Sequence, residues 1–274
     1  MTFEIERIYH RRHDIHDVFG GQRQGGISTP DGAPHVFLFT GETGEQHGYH
    51  DGFEGNGVFV YTGEGQRGPM EFVRGNKAIR DHTQAGKDLL LFEATKRKGY
   101  YRHKGTFVCA GYDDTQMGPD TDKNQRKLIR FQLVPMTVLT ELSNNLIEEN
   151  EPNPNQVPIA DLRQRAYEAV SSPVQKDTET SKRSLYQRSK AVKKYVLARA
   201  NGICECCKTP APFKKKNGAP YLEPHHIRQL SDDGLDSPIW VGAVCPTCHR
   251  EIHHGLNGEL KNEILKTYIN LIEK

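Results

Sequence analysis

Five of the six cysteines fall in the last third of the chain, and four of them stand as two pairs, Cys204-x-x-Cys207 and Cys245-x-x-Cys248. Each pair can turn a tight knuckle around one ion. Four thiolates at about 2.3 Å satisfy Zn²⁺ in a tetrahedron and leave no open position, so the spacing predicts a structural zinc held by Cys204, Cys207, Cys245 and Cys248. Cys206 stays outside, because Cys204 and Cys207 already keep the paired spacing. Free core cysteines are the alternative. Two such pairs in one short region weigh against it, and in a reducing compartment the grouping points to metal rather than disulfides.

Histidines surround the same knuckles. Between them lies Leu222-Glu223-Pro224-His225-His226-Ile227, and after the second comes Cys248-His249-Arg250-Glu251-Ile252-His253-His254. On a helix, His249 and His253 share one face and can share an ion. On a strand, the adjacent His225 and His226 point to opposite faces. One of them can complete a three-histidine metal site while the other turns towards a water or a substrate. Three protein ligands with open positions describe a catalytic ion rather than a structural one. His10, His13, His16 and His254 lack such spacing and read as ordinary surface or core residues.

A third constellation lies near the start, in Gly48-Tyr49-His50-Asp51-Gly52-Phe53 and Gly57-Val58-Phe59-Val60-Tyr61-Thr62-Gly63-Glu64-Gly65. Two tyrosines flank a carboxylate in a glycine-rich bend. A base flipped out of a duplex needs π-faces on both sides and a group to pair with its edge. A carboxylate suits the exocyclic amine of cytosine, and glycine permits close backbone approach. Alone, the same residues equally fit a hairpin with two core tyrosines.

The elements that must carry these groups change character along the chain. Up to about residue 140, short apolar runs (His35–Thr40, Val58–Thr62, Leu89–Glu93, Thr106–Gly111, Leu128–Val134) alternate with glycine-, aspartate- and asparagine-rich turns, which predicts a barrel or twisted sheet. A short helix is expected at about Asn76–Ala85 and another at Met136–Glu149. Asn150–Val157 is polar and broken by prolines, and a short helix at Ile159–Val170 interrupts the connector beyond it. A basic helix spans Ser184–Ala200 and stops at Asn201-Gly202. A last helix covers about Leu260–Glu273. The expected organisation is α+β in two domains, 1–149 and 183–274, joined by a linker at 150–182.

Composition bounds the rest. Hydrophobic residues make up 35% and charged residues 26%, as in soluble globular proteins. No apolar run is long enough to span a bilayer, and the first residues do not read as a signal peptide. A cytoplasmic protein with no membrane partner is the expectation. The net charge of +2 gives little general attraction to nucleic acid, so any such attraction rests on local clusters. Those are Lys96–Lys104, Lys182–Lys194 and Lys214–Lys216, each of which taken alone reads as a solvated surface.

From about Ala200 to the C-terminus the motif Cys-x-x-Cys…Glu-x-His-His…Cys-Pro-x-Cys-His-x-x-x-His resembles the HNH (ββα-metal) nucleases. It looks closest to the HNH domains of McrA-like restriction enzymes, and it shares the double histidine and His-x-x-x-His with colicin DNases. The resemblance implies that His225, His249 and His253 hold a divalent ion such as Mg²⁺ or Mn²⁺. It makes His226 the general base that deprotonates a water. The family's middle asparagine has no counterpart: the position falls near Ile239-Trp240, which leaves the support of His226 unassigned.

Residues 5–136 are similar to the SRA (SET- and RING-associated) domains that flip 5-methylcytosine, in the variant fused to HNH domains. That likeness implies a twisted β-barrel with Tyr49 and Tyr61 as stacking walls and Asp51 and Thr62 at the cytosine edge. It places Gln22, Arg23 and Gln24 in a groove-probing loop and Arg74, Asn76 and Lys77 against phosphate. Together the two resemblances imply a modification-dependent, type IV-like restriction endonuclease. Its substrate is double-stranded DNA carrying 5-methylcytosine or 5-hydroxymethylcytosine, and it acts as a homodimer. The alternatives are a non-cleaving reader that uses zinc only as scaffold, and an HNH nuclease with no preference for modification.

Overall fold

The computed structural model describes residues 3–41, 51–54, 57–138, 157–171, 178–227 and 237–274. The chain divides into two compact units, Met1–Leu142 with Pro173–Leu185, and Ser143–Ser172 with Tyr186–Lys274. No helix among the described residues is long and apolar enough to cross a membrane.

Strands of the first unit are β1 (Ile8–His10), β2 (Ile27–Ser28), β3 (His35–Thr40), β4 (Gly52–Phe53), β5 (Phe59–Thr62), β6 (Asp88–Ala94), β7 (Tyr100–Asp113), β8 (Met117–Pro119), β9 (Gln125–Lys127) and β10 (Arg130–Pro135). All but β8 and β9, which pair with each other, join one eight-stranded sheet. Its order is β2-β3-β6-β7-β10-β5-β4, with β1 added against β7. β3 and β6 run parallel; the other pairs are antiparallel.

The unbroken apolar runs of β3 and β6 reflect burial on both faces. Val36, Leu38, Leu89 and Leu91 enter one core with Phe59, Tyr61, Phe107 and Phe131. The alternate residues Phe37, Phe39, Leu90 and Phe92 enter a second core with Tyr9 and Ile15. The closed barrel expected from the strand count is not formed among the described residues. The two ends of the strand order, β2 and β4, are two residues long, too short to lace a closing ladder. Helix α1 (Arg74–Arg80) is shorter than expected, and residues 81–86 continue it as turns. Of the helix expected at 136–149, only 136–138 fall among the described residues, and they are helical.

The second unit contains α2 (Ile159–Ser171), α3 (Thr178–Ala200) from Tyr186 onward, β11 (Glu223–His226), β12 (Val241–Val244), α4 (Pro246–His254) and α5 (Gly258–Ile272). Its core joins Leu162 and Ala166 of α2, Val192, Tyr195 and Val196 of α3, Val241 and Val244 of β12, and Leu265 and Ile269 of α5. The stretch expected as a connector thus supplies a helix to this core. Arg199, near the end of α3, pins the elements downstream of it. Its guanidinium meets both carboxylate oxygens of Glu205 at 2.8 Å. It also donates to Glu273 at 2.7 Å and to the carbonyls of Pro238 and Val241 at 3.1 and 2.8 Å. Such a buried fork is costly to break, because each lost partner strands a charge. It ties α3, the first cysteine knuckle, the approach to β12 and the end of α5 together.

Candidate metal centres and base-reading site

Asn201 and Gly202 end α3 with φ of 46° and 77°. The left-handed turn delivers Cys204, whose N–H and C=O then close the knuckle on Thr209 O and Lys208 N at 2.8 and 2.9 Å. On the other side, Cys245 caps α4, its sulfur accepting from Cys248 N at 3.4 Å. Cys204 Sγ accepts from Cys245 N at 3.2 Å. The sulfurs of Cys204, Cys207, Cys245 and Cys248 all lie within 4.8 Å of one another, and Cys206 is outside the group.

Burial raises the thiols of Cys204 and Cys248. Burial pushes Cys207 the same way, but hydrogen bonds from Thr209 and from the Cys204 and Cys248 thiols prevail and bring it down to about 6. One thiolate forms easily and its neighbours resist, which is the charge problem a divalent cation resolves. The donor set fits a closed tetrahedral ion.

β11 pairs with β12, with His225 opposite Gly242 and His226 opposite Val241. The alternation of the strand sends the two imidazoles to opposite sides. His225 is buried and His226 half-buried. His249 and His253 come from one face of α4. The rings of His225, His249 and His253 stand 4.9 to 5.1 Å apart, centre to centre, with one nitrogen of each within 4.8 Å of the others. His226 is not part of that group.

Burial lowers His225 to about 4 against the pull of its Asn262 hydrogen bond, and the neighbouring His249, His253 and His226 add to the effect. It is therefore a neutral imidazole at ordinary pH, the form that binds a metal. Its Nδ1 is buried with no hydrogen-bond partner. An orphaned ring nitrogen inside a cluster of imidazoles fits a divalent ion.

Three supporting residues do not stand out by ligand spacing. Glu223 Oε2 meets His249 Nδ1 at 2.6 Å, and Tyr221 Oη donates to Glu223 Oε1 at 3.0 Å. Asn262 of α5 meets His225 Nε2 at 3.1 Å. Glu223 carries a sequence signal, since it lies two residues before His225 and so on the same strand face. Asn262 carries none: its burial beside Gly258, Leu265 and Ile269 is seen only in the structure.

In the first unit, Asp51 joins two strands. Its Oδ1 accepts from Thr62 N at 2.7 Å and its Oδ2 from Thr40 Oγ1 at 2.9 Å. Burial raises its carboxyl above the usual range, opposed by those hydrogen bonds and by Arg130. Tyr61 is 2% exposed. Its hydroxyl donates to Gly26 O at 2.7 Å and Phe39 O at 3.3 Å, which fixes the ring. A Cβ on Gly26 would stand 2.7 Å from that hydroxyl, so glycine is required there. Tyr49 lies outside the described residues.

Gln22 folds back on Thr29, accepting from its N–H at 2.7 Å, and Arg23 pairs with Asp17 at 3.0 Å. Gln24 is exposed. Arg11 anchors the loop through Gly25 O at 2.8 Å and lies 3.8 Å over the Phe39 ring. Arg74 and Lys77 are exposed, as a phosphate contact requires. Asn76 is 1% exposed; its side chain bonds Glu64 N, Glu64 O and Glu71 O at 2.8 to 2.9 Å. It holds a loop to α1 and offers nothing to a phosphate.

The fold and its clusters define the class: an α+β protein of two units, one a mixed sheet with a carboxylate set against β5, the other a pair of strands and a helix framing paired thiol and imidazole clusters. Over residues 6–148, more than half of the chain, the sequence matches the family "ScoMcrA-like, SRA domain", and the chain belongs to that family. It is also 42% identical over 90 residues to the Type IV methyl-directed restriction enzyme EcoKMcrA of Escherichia coli (strain K12), covering 33% of this chain and 32% of that one. The chain thus spans about a third of the length of this curated relative.

Among solved structures it is similar to the Type IV phosphorothioation-dependent restriction endonuclease ScoMcrA, at 20% identity and a TM-score of 0.41, over 99% of this chain and 64% of that one. It is similar as well to the SUVH5 SRA domain in complex with hemi-methylated CG DNA, at 17% identity and a TM-score of 0.36, over 48% and 88% of the two chains.

Proposed function

We propose that the protein is a modification-dependent DNA endonuclease, in which the SRA-family unit binds modified cytosine and the second unit is an HNH nuclease. The observation that carries the reading is the convergence of His225, His249 and His253 with His226 on the opposite side of the same strand. A scaffold has no use for that arrangement. His225, His249 and His253 would hold a divalent ion. When bound, that ion supplies charge stabilisation to the pentacoordinate phosphorus and the departing oxygen. His226 takes a proton from water as the water oxygen attacks phosphorus, and the bond to the 3′ oxygen breaks, leaving a 5′ phosphate. Glu223 holds the His249 ring in place through Nδ1. Cys204, Cys207, Cys245 and Cys248 hold Zn²⁺ as a staple.

In the reader, Asp51 accepts from the cytosine amine beside the backbone of Thr62, and Tyr49 stacks on the flipped base. Arg74 and Lys77 meet phosphate, and the loop of Gln22, Arg23 and Gln24 faces the duplex. Two copies of the chain act together on the two strands.

The test is digestion of duplexes carrying cytosine, 5-methylcytosine or 5-hydroxymethylcytosine with Mg²⁺ or Mn²⁺ present. Cleavage of the modified duplexes alone is expected. Equal cutting of all three points to a nuclease without preference, and binding without cutting to a reader. His226→Ala is expected to lower the cleavage rate by about 10²–10⁴-fold while modified-DNA affinity stays within twofold. Cutting at the native rate by that variant removes His226 from the mechanism.

A further inference from the structure

We propose that Asn262 is the positioning residue of the His225–His226 strand, reaching it from α5 and acting beside the backbone bond from Ile227 N to Trp240 O; this rests on reading the histidine cluster as a metal centre. Asn262 is 5% exposed and grips the strand on both sides of His226. Its Nδ2 donates to Ile227 O at 2.5 Å, and its Oδ1 faces His225 Nε2 at 3.1 Å.

The chemistry of the donors fixes the ring protons of His225 and His249. A backbone carbonyl only accepts, so the side of the carboxamide facing Ile227 is the NH₂. The side facing His225 is then the oxygen, which also only accepts. His225 Nε2 must therefore carry the ring proton, and its lone pair must sit on Nδ1. Nδ1 is the buried atom without a hydrogen-bond partner, and His225 is a member of the imidazole cluster. The same reasoning applied to His249 gives the opposite tautomer. Its Nδ1 faces the Glu223 carboxylate at 2.6 Å, so Nδ1 is protonated and Nε2 is the ligand atom. Asn262 thus selects which nitrogen of His225 meets the ion, and its hold on Ile227 O fixes the backbone carrying His226.

The test uses the full chain with its zinc intact, as native protein, Asn262→Leu and Asn262→Asp. Long-range ¹H–¹⁵N spectra of the imidazoles, recorded without added divalent ion, report the tautomer of His225. Calorimetry with Mn²⁺ reports affinity at the cluster. The native protein is expected to show His225 protonated on Nε2. Asn262→Leu is expected to mix the tautomers and weaken Mn²⁺ about 10–100-fold. Asn262→Asp keeps an acceptor towards His225 but loses the donor to Ile227 O, so it is expected to keep the native tautomer while still weakening Mn²⁺ relative to the native chain.

His225 protonated on Nδ1 in the native protein overturns the proposal, as does native Mn²⁺ affinity and tautomer in Asn262→Leu. If Asn262→Leu does not fold, the native spectrum and the Asn262→Asp spectrum decide. A native chain with the expected tautomer but no Mn²⁺ binding upholds the positioning role and sinks the metal reading instead.

Discussion

At the scale of single residues, the site is made of groups that cost stability. Asp51 is the plainest case. A carboxyl raised by burial binds its proton more tightly in the folded chain than in the unfolded one. The contribution of this group is therefore best below the ordinary carboxylate pKa of about 3.9, worsens as pH rises through the folded value, and stays unfavourable at neutral pH. Asp51→Asn carries no charge at any pH and still offers an acceptor to Thr62 N. It is predicted to melt above the native chain at pH 7, with the gain fading as the pH falls through the raised value towards about 4 and absent below it. The same change is predicted to cost about 1–3 kcal/mol of affinity for DNA with modified cytosine, the range of a lost base-edge pairing. Thermal scans from acid to neutral pH and a binding titration check both halves. A variant that melts lower at pH 7 shows that the hydrogen bonds of the carboxylate outweigh its burial.

At the scale of elements, the insert between Cys207 and His225 builds a hairpin that reaches back to the clustered histidines. Tyr221 N bonds Phe213 O and Lys215 N bonds Ala219 O, at 2.9 and 2.8 Å. Gly218 turns the tip with φ 83°. The Phe213 and Tyr221 rings stack 4.5 Å apart, and Phe213 is 54% exposed. From Tyr221 the chain of contacts runs through Glu223 to His249. Lys214, Lys215 and Lys216 at the tip are the cluster that sequence alone leaves as solvated surface. If they meet phosphates, changing all three to Gln weakens modified and unmodified DNA alike and lowers the slope of log affinity against log salt by up to about 2.7. An unchanged slope returns them to plain surface.

What the sequence makes legible is what is local. The thiol pairs and the His249–His253 spacing sit within single turns, and the apolar runs mark β3 and β6. Asn262 is hidden because its partner lies 37 residues upstream, and a polar residue on a helix ordinarily marks the solvent face. Whether a sheet closes depends on pairing between distant strands, which apolar runs do not encode.

At the scale of the whole molecule, α5 has two faces with different tasks. Asn262, Leu265 and Ile269 are buried, while on the opposite side Leu260, Ile264 and Leu271 are 62%, 52% and 64% exposed. With Thr267 they form a row spaced four, three and four residues apart, the seam that pairs helices in coiled coils. If each chain carries one hydrolytic centre, it severs one strand, and a duplex presents two strands related by a two-fold axis. A second copy docked through this row would match that symmetry. Leu260→Glu with Ile264→Glu places charges on residues already facing solvent, so the fold and the cysteine cluster should survive. The native chain is predicted to sediment as a dimer and the double variant as a monomer. On supercoiled plasmid carrying modified cytosine, the native protein is predicted to give linear product and the variant mainly nicked circles. A variant that sediments as the native chain does and still linearises the plasmid places the two-fold contact elsewhere and leaves the apolar row of α5 without that role.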